Sequence, residues 1–438
     1  MKKLNTALLL TALLAAVPAG AHAVALETRG ELRVRSWWLD NYFADGKSTE
    51  YWDQRLRLHL NWPVAENVRV QVRADIFEGY WGDTMLVAQQ PPAAGPAAGA
   101  PAPTATVSAA PTKQPIVFDW VNMQFVVPGT PVRLSLGRQD VSWGTGFWVN
   151  ADNRDRFEVA AKLDPVVIVV AYDKFVEVHE NHGELYDQGG WAAGGVVDAA
   201  GFRFGLLVAY LQDGSRSRFP GDVSYLAGDF FAKGTIGPAR LQAEVYYGSG
   251  TIDRDNLGDI DAEGLGGYAG LFLPVGPAVS LGLEGAYTRG DDPTTPDKRE
   301  GFFSADYEGP YSSVIFYNNM DYAGYAGDGQ SSSTELDFGV RNAVTGKLSA
   351  VFTPLNNLSV TLAGLYAAAD QTPAGVEKAM GWEFDLIAVY GVTSDVKFTA
   401  GVGYALLGDY WKSAPISGGS GRQPDNPLVC MAALTATF

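Results

Sequence analysis

Residues 54–62 read QRLRLHLNW and alternate without interruption between apolar and polar side chains. Three leucines and Trp62 fall on one side, and Arg55, Arg57, His59 and Asn61 fall on the other. Successive side chains of a strand point to opposite faces, so this stretch offers one aliphatic face and one cationic face. A soluble sandwich could bury the first face. Two arginines and a histidine on the second face better fit the wall of a water-filled barrel in a membrane.

The same pattern occurs on both sides of this stretch. Residues 31–38 (ELRVRSWW) carry two arginines on their polar side, and residues 68–77 (VRVQVRADIF) alternate valine with arginine and glutamine. Only residues 63–67 separate the second stretch from the third, whereas residues 39–51 separate the first from the second. Short turns that alternate with long loops are typical of outer-membrane barrels, in which the short turns face the periplasm.

This alternation continues to the end of the chain. Further short turns are predicted near residues 128–130, 164–165, 199–200, 237–238, 274–277, 354–357 and 394–395. Longer polar loops are predicted at 78–115, 140–155, 180–189, 213–222, 250–262, 290–334, 370–378 and 411–426. The predicted fold is all-β: a transmembrane antiparallel up-and-down β-barrel of about 18 strands, with short periplasmic turns, long extracellular loops and both ends in the periplasm.

The first 23 residues predict a cleaved signal peptide. Lys2 and Lys3 precede an apolar run that ends in the triplet Ala21-His22-Ala23. No later run is long and apolar enough for a membrane-spanning helix, so residues 24–438 are expected to be secreted or to span a membrane as strands. The formal net charge is −17, and many acids cluster in the predicted loops. Cys430 is the only cysteine, which excludes a disulfide framework and a thiolate metal cluster.

Two loops have unusual composition. Residues 90–112 form a low-complexity insertion rich in proline and alanine that cannot pack a core. The loop at 290–334 is rich in aromatic side chains, so we expect it to fold over or into the barrel mouth. The last strand ends on Phe438, which resembles the terminal aromatic signal recognised by the barrel-assembly machinery.

The polar faces of the early strands form a predicted arginine ladder. Its members are Arg33, Arg35, Arg55, Arg57, Arg69, Arg73 and Arg133, with His59 on the same face. Such a wall would attract carboxylates or phosphates. Alternatively, the lumen is merely polar and acids neutralise the ladder; the candidate acids are Asp75, Glu244, Glu284, Glu335, Asp337, Glu383 and Asp385. The two interpretations predict opposite ion preferences.

Residues 134–148 read LSLGRQDVSWGTGFW. The Gly-Arg-Gln at 137–139, followed by Trp143 and Gly144, resembles a segment of alginate-export-type porins within the outer-membrane porin superfamily. The resemblance implies that residues 140–156 fold inward as a constriction, with charged residues facing the permeant. The candidates are Asp140, Asp152, Arg154, Asp155 and Arg156. The alternative is a solvated loop that only stiffens the barrel mouth.

Arg138 conflicts with simple alternation. Counting from Arg133 places Arg138 on the lipid side, which a guanidinium would resist. We therefore expect a bulge or strand end there and include Arg138 among the pore-lining residues.

Other chemistry finds little support in the sequence. His179 and His182 are too few for a zinc site, and the acidic run at 253–264 has Leu257 and Gly264 where a calcium loop needs oxygen ligands. A Gly-x-Ser-x-Gly elbow and a haem-attachment motif are absent. We expect no catalytic residues, no cofactor, no metal and no nucleic-acid partner.

Together these features predict a channel in the outer membrane of a Gram-negative bacterium. It would allow passive diffusion of small hydrophilic, possibly anionic, solutes, with outer-membrane lipid as its other partner and homo-oligomers possible. Two alternatives remain: a barrel sheath around a partner such as a cytochrome in an electron conduit, and a surface receptor or adhesin that binds through the loop at 290–334.

Overall fold

The computed structural model of the chain describes residues 26–41, 48–81, 116–150, 152–176, 188–214, 221–254, 258–301, 313–316, 342–412 and 425–438. The predicted signal peptide, the insertion at 90–112 and the two loop histidines lie outside these ranges. No helix in the described ranges is long and apolar enough to cross a membrane.

Within the described residues, one sheet of 19 strands contains all the regular structure except a short 3-10 helix at Asp409–Lys412. The strands are β1 Glu27–Asp40, β2 Thr49–Ala65, β3 Val68–Tyr80, β4 Val117–Val126, β5 Val132–Val141, β6 Asp152–Leu163, β7 Val166–Val176, β8 Gln188–Ala199, β9 Phe202–Asp213, β10 Asp222–Ile236, β11 Ala239–Asp253, β12 Ile260–Pro274, β13 Val279–Thr288, β14 Lys298–Arg299, β15 Ala343–Leu355, β16 Leu358–Ala369, β17 Ala379–Gly391, β18 Val396–Leu407 and β19 Leu428–Thr437. The two-residue β14 pairs in parallel with the start of β12 and belongs to a loop. The other 18 strands form the barrel, which confirms the predicted fold.

The barrel is closed by pairing of its first and last strands. β1 runs antiparallel to β19 from Glu31 opposite Thr437 to Asp40 opposite Leu428. Two backbone hydrogen bonds extend this seam, from Gly30 N to Phe438 O (2.7 Å) and from Phe438 N to Gly30 O (3.0 Å). Closure leaves no unpaired sheet edge, as a lipid environment requires.

The outer face is apolar and is edged by aromatic rings. Leu348, Leu206 and Leu362 are more than half exposed on it. Near the long-loop end, Trp52 stacks on Trp81 at 5.0 Å. Trp62, Tyr390 and Phe398 lie near the short-turn end, also exposed. Aromatic girdles at both edges of an apolar band are typical of transmembrane barrels.

The polar face of the opening stretch points into the lumen, as its alternation predicts. Arg57 pairs in register with Asp75, and His59 pairs with Arg73. The register between β2 and β3 then shifts by one residue, because β3 has a bulge opposite Leu56 and Arg57. Phe77 therefore lies opposite Leu56 on the outer side. Uninterrupted alternation fails there because a bulge moves the following side chains to the other face.

The seam generates a prediction about Gly30. A Cβ atom at this position would lie 2.3 Å from the Phe438 ring. We expect Gly30→Val to displace the ring and to lower the free energy of unfolding by about 1–3 kcal/mol, the usual cost of overpacking. Urea unfolding of the barrel in lipid vesicles measures this change.

Gly346→Val is the matched control. Gly346 also lies within a strand, but its Cβ position has no neighbouring atom within 4 Å. Equal stability changes in the two variants would show that loss of glycine, and not contact with Phe438, matters.

Candidate functional site: the inward loop and the cavity beside it

The loop between β5 and β6 folds into the lumen and docks on a different part of the wall, at β10 to β12. Within this inward loop (residues 142–150), Trp143 Nε1 donates to Asp229 on β10 at 2.9 Å. The backbone N and the hydroxyl of Thr145 both donate to Glu244 on β11, at 2.5 and 2.7 Å. Trp148 N donates to the other oxygen of Glu244 at 2.9 Å. One carboxylate therefore satisfies three donors of a loop that starts on a distant strand, β5.

Aromatic contacts support these hydrogen bonds. Trp148 packs on Tyr246 of β11, with ring centroids 4.8 Å apart, and Phe147 stacks on Tyr268 of β12 at 6.2 Å. Trp143 meets Phe231 of β10 edge to face at 5.5 Å. The side chains of Phe147 and Trp148 are at most 3% exposed. Such ring pairs add to the free energy gained by burial.

The glycines of the sequence motif make this docking possible. Gly144 and Gly146 have φ of +62° and +88°, a region that favours glycine. A Cβ at Gly144 would lie 2.3 Å from a Glu244 oxygen. Gly137 has φ of +114°, and its Cβ position would lie 2.3 Å from the carbonyl oxygen of Val121. The close approach of the loop backbone to the barrel wall therefore requires the glycines of the Gly-x-Gly turn.

A second segment also enters the lumen. In the inward segment (residues 313–316), Ile315 N and Phe316 N donate to Glu383 on β17 at 2.5 and 2.7 Å. The Ser313 hydroxyl donates to the same carboxylate at 2.8 Å. Glu383 is 0% exposed. This part of the predicted loop at 290–334 therefore lies inside the barrel.

The 3-10 helix at Asp409–Lys412 adds a smaller contact at the long-loop end. Trp411 Nε1 donates to the carbonyl oxygen of Met380 at 2.8 Å. Burial raises the pKa of Tyr410 to about 12.

A cavity of about 830 Å³ lies between the inward loop and the wall formed by β6 to β10. Arg289, Asp291 and Arg299 line it at the long-loop end, and Arg133, Arg203 and Lys233 line it toward the short-turn end. Apolar side chains cover much of the remaining wall; they are Val169, Ala171, Leu207, Ala209, Leu211 and Val223. The cavity therefore extends along the barrel axis past the inward loop.

The predicted arginines divide into two groups. Arg133, Arg154 and Arg156 line this cavity. Arg33, Arg35, Arg55, Arg57, Arg69 and Arg73, with His59, belong to β1 to β3 and are not among its lining residues. His59 instead contacts the edge of Trp120 at 5.7 Å. Sequence alternation identified the lumen face but not which part of it borders the open space.

Most of these arginines form ion pairs within their own part of the wall. The pairs, with N–O distances, are Arg33–Glu78 (4.0 Å), Arg35–Asp53 (2.8 Å), Arg55–Glu31 (3.0 Å), Arg57–Asp75 (2.6 Å), Arg73–Asp119 (2.5 Å), Arg133–Glu158 (3.0 Å), Arg154–Asp173 (3.0 Å) and Arg156–Asp173 (2.5 Å). Of the seven acids named from the sequence as neutralising partners, only Asp75 has this role among the described residues. Glu284 pairs with Lys347 at 3.3 Å, and Glu335 and Asp337 lie outside the described residues.

The prediction that Arg138 lines the pore is wrong in this structure. Arg138 lies opposite Val121 and Asp155 and forms a 3.3 Å ion pair with Asp155 on the outer side, where both side chains are more than 40% exposed. We expected a bulge or a strand end at Arg138: no register shift interrupts the pairing of β5 with β4 or β6, but Arg138 does lie near the end of β5. The ion pair at the long-loop end of the strands lets the guanidinium face outward, since charge costs little near the membrane interface.

Two further candidates do not line this cavity. Asp140 lies opposite Asn153 in register, on the same nominal side of β5 as Arg138, and is not a cavity-lining residue. Arg69 is exposed near the short-turn end of β3 and has no ion pair among the described residues.

The sequence analysis missed several residues of this site. Asp229, Lys233, Asp173 and Glu158 were not singled out, and Glu244 was assigned only a neutralising role. The alternation within β6, β7, β10 and β11 places these side chains on the lumen face, which is a usable signal. That Glu244 receives the loop between β5 and β6 is not visible in any local pattern.

Comparison with known proteins gives a structural answer only. No family model and no curated protein matches this chain. Solved structures of Pseudomonas aeruginosa outer-membrane proteins match over 94% of it: OpdK with vanillate (TM-score 0.55, 11% identity, 98% of that chain), OccK2 (OpdF) in complex with glucuronate (0.54, 12%, 98%) and OccK11 (OpdR) (0.53, 11%, 96%). The fold is that of outer-membrane porins. With its apolar outer band, it places the chain in the outer membrane of a Gram-negative bacterium.

The docking geometry generates a prediction about Gly144. An alanine there would combine a strained backbone with a contact of 2.3 Å to the Glu244 carboxylate. We expect Gly144→Ala to displace the inward loop and to lower the free energy of unfolding by about 1–3 kcal/mol. A change in the near-ultraviolet circular dichroism of the buried tryptophans should accompany it.

Gly129→Ala separates the two causes. Gly129 has φ of +72°, but its Cβ position has no neighbouring atom within 4 Å. Backbone strain alone would affect both variants equally, whereas loss of docking should alter the tryptophan signal in Gly144→Ala only.

Proposed function

We propose that this protein is a channel for passive diffusion of small hydrophilic solutes, with a preference for anions. The main observation in support of this proposal is the cavity beside the inward loop. Its lining residues come from both ends of the barrel strands and include many charged side chains. A charged, water-accessible path along a barrel axis is what a diffusion channel needs.

The charge of this path supports the anionic preference. Among the described residues, seven cationic and six acidic side chains line the cavity, although the whole chain is strongly acidic. Exposure favours the cation in one pair: the Arg133 side chain is 47% exposed, whereas its partner Glu158 is 14% exposed. A solute passing Arg133 would therefore meet the guanidinium first.

The cavity wall combines charged and apolar side chains. Arg154 and Arg156 lie on β6, and the aliphatic side chains of β9, such as Leu207 and Leu211, lie on another part of the wall. This arrangement suits a small solute that combines an anionic group with a ring face. OpdK with vanillate and OccK2 in complex with glucuronate each contain such a molecule. A ring carboxylate is accordingly the first permeant class to try, with uronates among its members because of the resemblance to alginate-export-type porins.

The test is the reversal potential of the refolded barrel in a planar bilayer under a potassium chloride gradient. We expect chloride to be preferred. A potassium preference would contradict the anionic part of the proposal and leave a general or cation-selective channel. Absence of conductance in a folded barrel would contradict the channel function itself.

Arg133 is the best residue for testing the source of the selectivity. Arg133→Gln removes an exposed cation from the cavity wall, so we expect the chloride-to-potassium permeability ratio to fall about twofold. Arg69→Gln is the matched control, because Arg69 is also exposed on the lumen side but does not line the cavity. Equal effects of the two substitutions would locate the selectivity elsewhere.

Arg138 provides a second prediction, in which no change is expected. Its guanidinium lies on the outer face, paired with Asp155. Arg138→Gln should therefore leave the reversal potential unchanged. A shift as large as that of Arg133→Gln would restore Arg138 to the pore.

The structure bears on the alternatives in one respect. A wide, unobstructed lumen would favour a sheath around a cytochrome. Here the inward loop and the inward segment both occupy lumen space. Recognition of Phe438 by the assembly machinery and formation of homo-oligomers stay predictions.

A further inference from the structure

We propose that Glu244 sets the bore of the conducting path, because its buried carboxylate holds the inward loop against β11. Glu244 would thus be a positioning residue that determines which solutes pass. This inference rests on the channel function proposed above and assigns its size limit to one side chain.

The contacts of Glu244 show why it is the main attachment point. Its side chain is 0% exposed, and its two oxygens accept hydrogen bonds from two backbone amides and one hydroxyl of the inward loop. Lys233, on the neighbouring strand, donates to the carbonyl oxygen of Gly144 at 2.8 Å. The wall thus holds the loop in two ways: Glu244 accepts hydrogen bonds from the loop, and Lys233 donates one to it.

The position of the cavity turns this attachment into a size limit. Residues 141–146 and 148–150 all contribute to the cavity lining, so the loop forms one side of the path. Movement of the loop away from Glu244 would therefore change the width of the path directly. The barrel wall on the other side is hydrogen-bonded throughout and cannot adjust in the same way.

Glu383 provides an internal comparison. It is equally buried and accepts two backbone amides and a hydroxyl from the inward segment. None of residues 313–316 is among those that line the cavity. The same chemistry is therefore used twice among the described residues, but only Glu244 acts on the path.

The experiment compares Glu244→Gln with Glu383→Gln. Glutamine keeps the shape of the side chain but replaces one acceptor oxygen with an NH₂ group, which cannot accept the loop amides. Loop position is read from a Val149→Cys reporter, because Val149 is 2% exposed and close to cysteine in size. Cys430→Ala removes the native thiol. Thr145→Val, which removes only the hydroxyl bond, is a milder variant in case Glu244→Gln fails to fold.

We expect Glu244→Gln to raise the rate at which a membrane-impermeant maleimide labels the reporter thiol about tenfold, through loop opening. Conductance and the size limit for neutral sugars in liposome swelling should rise with it. Thr145→Val should give a smaller change in the same direction, and Glu383→Gln should change neither readout.

Each other outcome has a defined meaning. Unchanged labelling in both Glu244→Gln and Thr145→Val would overturn the proposal. Equal effects of Glu383→Gln would also overturn it, because the size limit would then not belong to Glu244. Faster labelling in a barrel that never conducts would contradict the channel function while leaving the positioning role of Glu244 intact.

Discussion

The structure depends on buried carboxylates that accept hydrogen bonds from segments folded into the lumen. When a loop is buried, its backbone amides lose their hydrogen bonds to water. A buried amide without a new acceptor lowers the stability of the fold. Glu244 and Glu383 satisfy these amides from the barrel wall. Since a carboxylate has two oxygens and about four acceptor positions, one side chain can hold several donors of a tight turn.

This arrangement explains the composition of the loop at 142–150. Two glycines with positive φ allow the backbone to approach Glu244, and three aromatic side chains fill the space beside it. The hydrogen bonds orient the loop, and the rings supply buried apolar area. Both sets therefore contribute to the position of the loop in the lumen.

The arginines show a different use of charge. Along β1 to β3, arginines form ion pairs with carboxylates of the wall itself, as Arg35 does with Asp53 and Arg57 with Asp75. Such pairs make a polar lumen surface possible, while an exposed guanidinium such as Arg133 is still accessible to a solute. A count of arginines alone therefore gives a poor measure of ion preference, because selectivity depends on which charges border the open path.

The sequence by itself determined the barrel, because period-two alternation and the spacing of short and long connections are local properties of the chain. It also marked the loop at 142–150 through its glycines and aromatic residues. Simple alternation from Arg133 also placed Arg138 on the outer side, in agreement with its ion pair to Asp155. Only the tertiary structure decided that Glu244 holds this loop and that Arg133, Arg154 and Arg156 border the cavity. These facts depend on contacts between strands far apart in the chain and on strand register. The alternation pattern of a single strand does not predict either of them.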